Sequence, residues 1–254
     1  MTHIQAVFLG ILQGVTEFLP ISSSGHLVLA ERFFRIEADL SFDVFLHLGT
    51  LLAVLIYFRH DWWRMLQART KEDRRLLFFL IVATVPGALA GFFLESAVES
   101  YFREPQRVAL MLAVMSFPLL LAEILKRGRY DLSALRLPQA LTIGCAQGLA
   151  VIPGTSRSGI TMATGLLLGL TRAEAARFSF LLSAPIIAGA GAYEGLKLLQ
   201  EGGSWSGPYL SGFLGAFVSG YLVIAWLLHF LRRHTFYPFV FYRLFLAGVV
   251  YALL

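Results

Sequence analysis

Two stretches of the chain gather, at short spacing, side chains able to bind an anion or move a proton. The first, QGVTEFLPISSSGH, runs from Gln13 to His26, and the second, QGLAVIPGTSRSG, from Gln147 to Gly159. Gln13 and Glu17 stand four apart, so a helix presents both on one face. Pro20 disfavours helix at Leu19, and Ser22, Ser23 and Ser24 are placed to cap a new helix running through His26 to Phe34. In the second stretch Pro153 and Gly154 break the chain. Thr155, Ser156 and Ser158 then start a helix ending near Leu170, with Arg157 in the turn. Each helix start offers free backbone N–H groups and the positive end of a dipole, which favour an anion. Two such starts, several hydroxyls, one guanidinium, one carboxylate and one imidazole suit a phosphate group better than a neutral solute.

Plainer readings exist for the same residues. Arg157 could be a structural partner of Glu17, His26 an interior histidine, and any one serine a cap. Charge inside a membrane is expensive and functional by default, which favours a site at Glu17. His47, Glu95, Glu99 and His229 lie near span ends and receive no role. The sequence has no P-loop, nucleotide fingerprint or Cys/His metal cluster.

The elements that must position these residues are membrane spans. Of 254 residues 57% are hydrophobic and 15% charged, and mean hydropathy is +0.69. With Gly counted and Tyr left out, the apolar share is about 62%, against roughly 45–50% in soluble domains. That excludes a disordered chain and a soluble domain, and predicts one integral membrane domain over 1–254. The start, MTHIQAVFLG, has no basic n-region, so no signal peptide is expected. One cysteine, Cys145, leaves no intramolecular disulfide to form.

Apolar runs predict spans at 44–58, 76–94, 106–125, 178–199, 209–231 and 238–254. One set of connecting segments holds 15 Lys and Arg, counting Arg232, Arg233 and Arg243; the other holds five, and Arg157 belongs to neither. Positive-inside reasoning puts the 15-charge set, including 126–137 and 232–237, in the cytoplasm, with 95–104, 200–208 and the C-terminus outside. The net charge of +5 follows from this bias, and no nucleic-acid partner is expected. At an offset of 134 the two broken stretches match at Gln13/Gln147, Gly14/Gly148, Ser22/Ser156, Ser24/Ser158 and Gly25/Gly159. The expected fold is therefore an all-α polytopic membrane protein with an inverted-topology repeat. Its halves, about 1–126 and 138–254, are each a re-entrant helical hairpin plus three spans around one midplane site.

EFLPISSSGH together with PGTSRSG resembles the undecaprenyl-diphosphate phosphatases of the bacitracin-resistance family, over essentially the whole chain. The resemblance implies hydrolysis of undecaprenyl diphosphate to the monophosphate at the outer face of the bacterial inner membrane, recycling the lipid carrier of cell-wall synthesis. The family's first motif, Glu or Gln, three residues, then Glu, falls on Gln13 and Glu17, where Gln13 departs from the two-carboxylate form. Its serine and histidine fall on Ser23 and His26, and its arginine on Arg157. Activity in the family is helped by Mg²⁺ or Ca²⁺, for which Glu17, and more weakly Gln13, would be ligands.

On this reading Glu17, Ser23, His26 and Arg157 are catalytic, while Gln13, Ser22, Ser24, Thr155, Ser156 and Ser158 bind phosphate. Ser23 attacks phosphorus with His26, one helical turn on, taking its proton; activation of water by His26 is the open alternative. Expected partners are the lipid substrate, the membrane and, as an option, a second copy in a homodimer. The competing function is a secondary transporter or polyprenyl-phosphate flippase, since inverted repeats with broken helices are usual there.

Overall fold

The computed structural model describes residues 1–36, 38–102, 104–125, 128–200 and 207–253, without the side chains of residues 40, 95–97, 99–100 and 197–199. The side chains of Glu95, Glu99 and Lys197, and the whole of Arg103, Lys126, Arg127 and 201–206, therefore lie outside what is described. The chain is helical, with no strand among the described residues.

Thr2 opens α1 (His3–Phe18) through a capping box with Gln5. The helix stops at Leu19, in extended backbone ahead of Pro20, as a residue before proline must. Ser22 then caps α2 (Ser23–Phe34). There follow α3 (Leu40–Tyr57), α4 (Arg59–Gln67), α5 (Lys71–Phe102), α6 (Pro105–Val114) and α7 (Ser116–Leu125). The second half repeats the opening with α8 (Leu137–Gly148), a short 3₁₀ turn, and α9 (Arg157–Leu167). It continues with α10 (Arg172–Gln200), α11 (Gly207–Phe230) and α12 (Tyr237–Leu253).

Among the described residues, four segments are long and apolar enough to cross a membrane: Lys71–Leu94, Pro105–Leu125, Arg172–Leu196 and Gly207–Phe230. The pair Ser41–Tyr57 and Arg59–Gln67, bent by 70°, makes a fifth if counted as one span. The protein is thus a polytopic membrane protein, although six full spans were expected. α12, with 17 residues, is about 26 Å long, a little short of a hydrocarbon core of about 30 Å.

Close crossings by small residues bring the halves together. α1 lies along α11, and α8 lies along α5. A Cβ added at Gly10 would sit 2.1 Å from the Gly212 carbonyl oxygen, and one at Gly144 only 2.3 Å from that of Ala83. Backbones can approach this closely only where side chains are missing, as is usual between membrane helices. Gly10 and Gly144 are 134 apart, the same offset that relates the two motifs. A main core runs from Phe18 through Phe58, Phe180, Met162 and Phe236, so the first hairpin, α9 and α10 share one packed interior.

Away from the site, Glu123 is a buried staple. It receives both Nε and Nη2 of Arg172 at 2.6 Å and the Phe236 amide at 2.7 Å, tying α7 to the starts of α10 and α12.

Candidate active site

The two interrupted segments meet. α2 is capped by Ser22, with φ 76° and ψ 97°, and α9 by Ser156, with φ 72° and ψ 103°. Left-handed backbone at a residue other than glycine is uncommon, and here it recurs at matched positions. In both caps the serine hydroxyl oxygen accepts the amide three residues on, Gly25 at 3.3 Å and Gly159 at 3.1 Å. The turns are pinned together: the Ser158 hydroxyl donates to the Leu19 carbonyl at 2.9 Å.

Glu17, 7% exposed, stands at the centre. Its Oε2 accepts from the Ser23 hydroxyl at 2.6 Å and from Gln13 Nε2 at 3.0 Å. Its Oε1 accepts from Arg157 Nη2 at 2.5 Å, and His47 Nε2 lies 3.8 Å from Oε2. Arg157 also donates to the Ser179 carbonyl at 3.3 Å, so two of its five N–H donors are engaged. Thr161 holds the Ser179 side chain by a 2.7 Å hydroxyl–hydroxyl bond.

The expected Ser23–His26 pair does not form. Ser23 is the first residue of α2, and its hydroxyl turns back to α1. His26 Nδ1 bonds instead to the Ser22 carbonyl at 2.7 Å, which turns the ring away. A carbonyl only accepts, so Nδ1 carries a proton, and Nε2, the acceptor nitrogen of a neutral ring in that tautomer, lies 2.8 Å from the Tyr242 hydroxyl. The two rings stack with centroids 5.6 Å apart and planes 7° from parallel.

The remaining candidates divide. Gln13 and Thr155 each keep a buried oxygen without a hydrogen-bond partner, Oε1 and Oγ1. Ser22 and Ser156 are caps, and Ser158 is committed to Leu19. Ser24 is exposed, with its hydroxyl 3.4 Å from that of Ser22.

Arg243 belongs here and not to a cytoplasmic loop, which removes it from the basic set counted above. It is fully buried in α12. Nη1 donates to the Pro20 and Thr155 carbonyls at 3.3 and 3.1 Å, and Nη2 to Gly154 at 2.9 Å. Nε reaches the Leu112 carbonyl at 3.2 Å and Ser116 Oγ at 3.1 Å, where the break between α6 and α7 exposes backbone. One guanidinium thereby satisfies non-helical backbone from both turns, as such backbone requires inside a membrane. An arginine in the middle of an apolar run was the available signal. His47, inside the 44–58 run, carried the same one.

No group of three or more His, Cys, Asp or Glu side chains converges as a metal cage among the described residues. The orphan Gln13 Oε1 and the Glu17 carboxylate are nevertheless hard oxygen donors on one helix face. Oxygens of this kind suit a hard cation such as Mg²⁺ or Ca²⁺, which these two side chains would hold.

The paired turns hold two guanidiniums, Arg157 on the Glu17 carboxylate and Arg243 on backbone carbonyls, against that one carboxylate, which leaves them net positive. A hydroxyl is hydrogen-bonded to that carboxylate, and unspent N–H donors lie beside it. These features, within a helical membrane protein, define a membrane enzyme acting on a phosphorylated substrate. A family model described as bacitracin resistance protein BacA matches residues 6–249, and the chain belongs to that family. It is 47% identical over 258 residues to the undecaprenyl-diphosphatase of Caldicellulosiruptor bescii, covering 99% of this chain and 97% of the relative. It is also 47% identical over 255 residues to that of Desulforudis audaxviator, covering 98% and 97%. With that of Rubrobacter xylanophilus it shares 45% over 266 residues, covering 99% and 98%.

Proposed function

We infer that the protein is an undecaprenyl-diphosphatase, hydrolysing undecaprenyl diphosphate to undecaprenyl phosphate and inorganic phosphate. The observation that carries this reading is the Ser23–Glu17–Arg157 arrangement: a hydroxyl on one carboxylate oxygen and a guanidinium on the other. A transporter needs a binding charge but no such nucleophile–base contact, and the three relatives compared all bear the hydrolase name.

Phosphoryl transfer is governed by positioning and charge stabilisation. Arg157 and the α2 and α9 starts hold the terminal phosphate, with the Thr155 hydroxyl free to donate. Ser23 Oγ attacks the terminal phosphorus while its proton passes to Glu17 Oε2. The bond from that phosphorus to the bridging oxygen breaks, and the electron pair leaves with undecaprenyl phosphate. Water then attacks the phosphoserine phosphorus, the bond to Ser23 Oγ breaks as Oγ recovers its proton from Glu17, and inorganic phosphate leaves. His26, held at both nitrogens, shapes the start of α2. Gln13 and Glu17 would hold the divalent cation, which when bound would neutralise part of the diphosphate charge.

The paired caps, the matched glycines and the crossed packing of α1 on α11 and α8 on α5 support an inverted repeat of two re-entrant hairpins. In that arrangement the site opens to the outer face of the bacterial inner membrane, where spent carrier is recycled for the cell wall. Release of inorganic phosphate from undecaprenyl diphosphate by detergent-purified protein, with and without EDTA, tests the function. Steady release that EDTA lowers supports the reading together with its cation. No release under either condition refutes it.

A further inference from the structure

A basic cavity lies at the opposite end of α9 from Arg157. Leu166 is nine residues along that helix, or about 14 Å. The cavity, of about 580 Å³, is lined by Gly128, Arg129, Leu166, Thr171, Arg172, Ala173, Leu231 and Arg232. No lining residue is acidic. Arg172 is neutralised by Glu123, but Arg129 and Arg232 meet no carboxylate among the described residues. Leu166 and Leu231 are buried and close its apolar side. Its rim is fixed, because the amides of Arg129 and Tyr130 donate to the Gly169 carbonyl at 2.9 and 3.0 Å, and the Thr171 amide to that of Tyr130 at 3.0 Å.

We propose that this cavity binds the phosphate headgroup of an anionic phospholipid, with Arg129 and Arg232 as its ligands. Two unpaired guanidiniums beside an apolar wall match a phosphodiester carried on acyl chains. The position selects a lipid over a soluble anion. Three of the long apolar segments have an end here, at Leu125, Arg172 and Phe230, so the cavity stands at the depth where helices leave the hydrocarbon. Basic pockets between helix ends on the positively charged side are where headgroups bind. The site is independent of the hydrolase reading.

The test is retention of phosphatidylglycerol over phosphatidylcholine by the purified full chain, measured by native mass spectrometry from mixed micelles. The double variant Arg129→Gln/Arg232→Gln is expected to lose the preference at least about tenfold, with phosphatase turnover unchanged. The variant Arg69→Gln/Arg74→Gln removes equal charge from exposed positions elsewhere and is expected to keep the preference. Millimolar inorganic phosphate is expected to leave bound lipid in place. Displacement by phosphate would make the ligand a free anion and overturn the lipid assignment. An unchanged preference in the first variant, or an equal loss in the second, would overturn the site.

Discussion

The Ser23 hydroxyl donates to Glu17 Oε2 across 2.6 Å, from the first residue of α2 to the last full turn of α1. On the proposed mechanism this bond joins the nucleophile to its proton acceptor across the interruption at Leu19–Ser22. Glu17→Gln keeps the shape but removes both the proton acceptor and the charge facing Arg157. Turnover is expected to fall by about 10²–10⁴-fold, the usual contribution of a positioned base. The check is phosphate release by protein whose thermal unfolding still shows a folded state; near-normal release would remove Glu17 from the chemistry.

Arg157→Lys is expected to lower kcat/KM at least about tenfold, or about 1.4 kcal/mol of transition-state stabilisation. An ammonium cannot hold Glu17, the Ser179 carbonyl and a phosphate through one planar fork. Steady-state kinetics at saturating and limiting lipid measure this, and unchanged kinetics would leave Arg157 as a structural bridge only.

Much of the site could be read from the motifs because their breaks are local: Pro20, Pro153 and the serine runs mark the turns by themselves. What the sequence hid was side-chain direction. A spacing of three residues suggested Ser23 with His26, but the imidazole bonds back to the Ser22 carbonyl and the hydroxyl turns the other way. Arg243 was counted with a loop because charge bias locates segments and says nothing of depth. Its partners are the carbonyls of 20, 112, 154 and 155 and the Ser116 hydroxyl, whose meeting is a property of the folded chain. Gly10 and Gly144 shared the repeat offset in plain view, yet their purpose depends on Gly212 and Ala83 crossing them.

Those crossings are testable by bulk. Gly144→Leu drives a side chain into the Ala83 backbone and is expected to cost about 1–3 kcal/mol or more, as overpacking does. Gly248→Ala, in α12 with open space around the new methyl, is expected to be neutral or stabilising by up to about 1 kcal/mol. Thermal unfolding in detergent ranks the two, and equal midpoints would contradict the close α5–α8 packing.

The proposed inverted repeat would put Ser133 in the cytoplasm and Ser204, which lies outside the described residues, on the outer face. In a Cys145→Ser background, a cysteine at Ser204 is expected to react with an impermeant thiol reagent in intact spheroplasts, and one at Ser133 is not. The reverse pattern would invert the topology and turn the site toward the cytoplasm.

Single-turnover phosphate release by Ser23→Ala, with Ser22→Ala and Ser24→Ala measured alongside, decides whether Ser23 is the nucleophile. Arg157 and both helix starts are untouched in Ser23→Ala, so it is expected to bind undecaprenyl diphosphate and release no phosphate. The cap variant and the exposed variant are each expected to retain a measurable rate. Release by Ser23→Ala at the rate of Ser22→Ala would contradict the serine mechanism and leave an activated water as the attacking group.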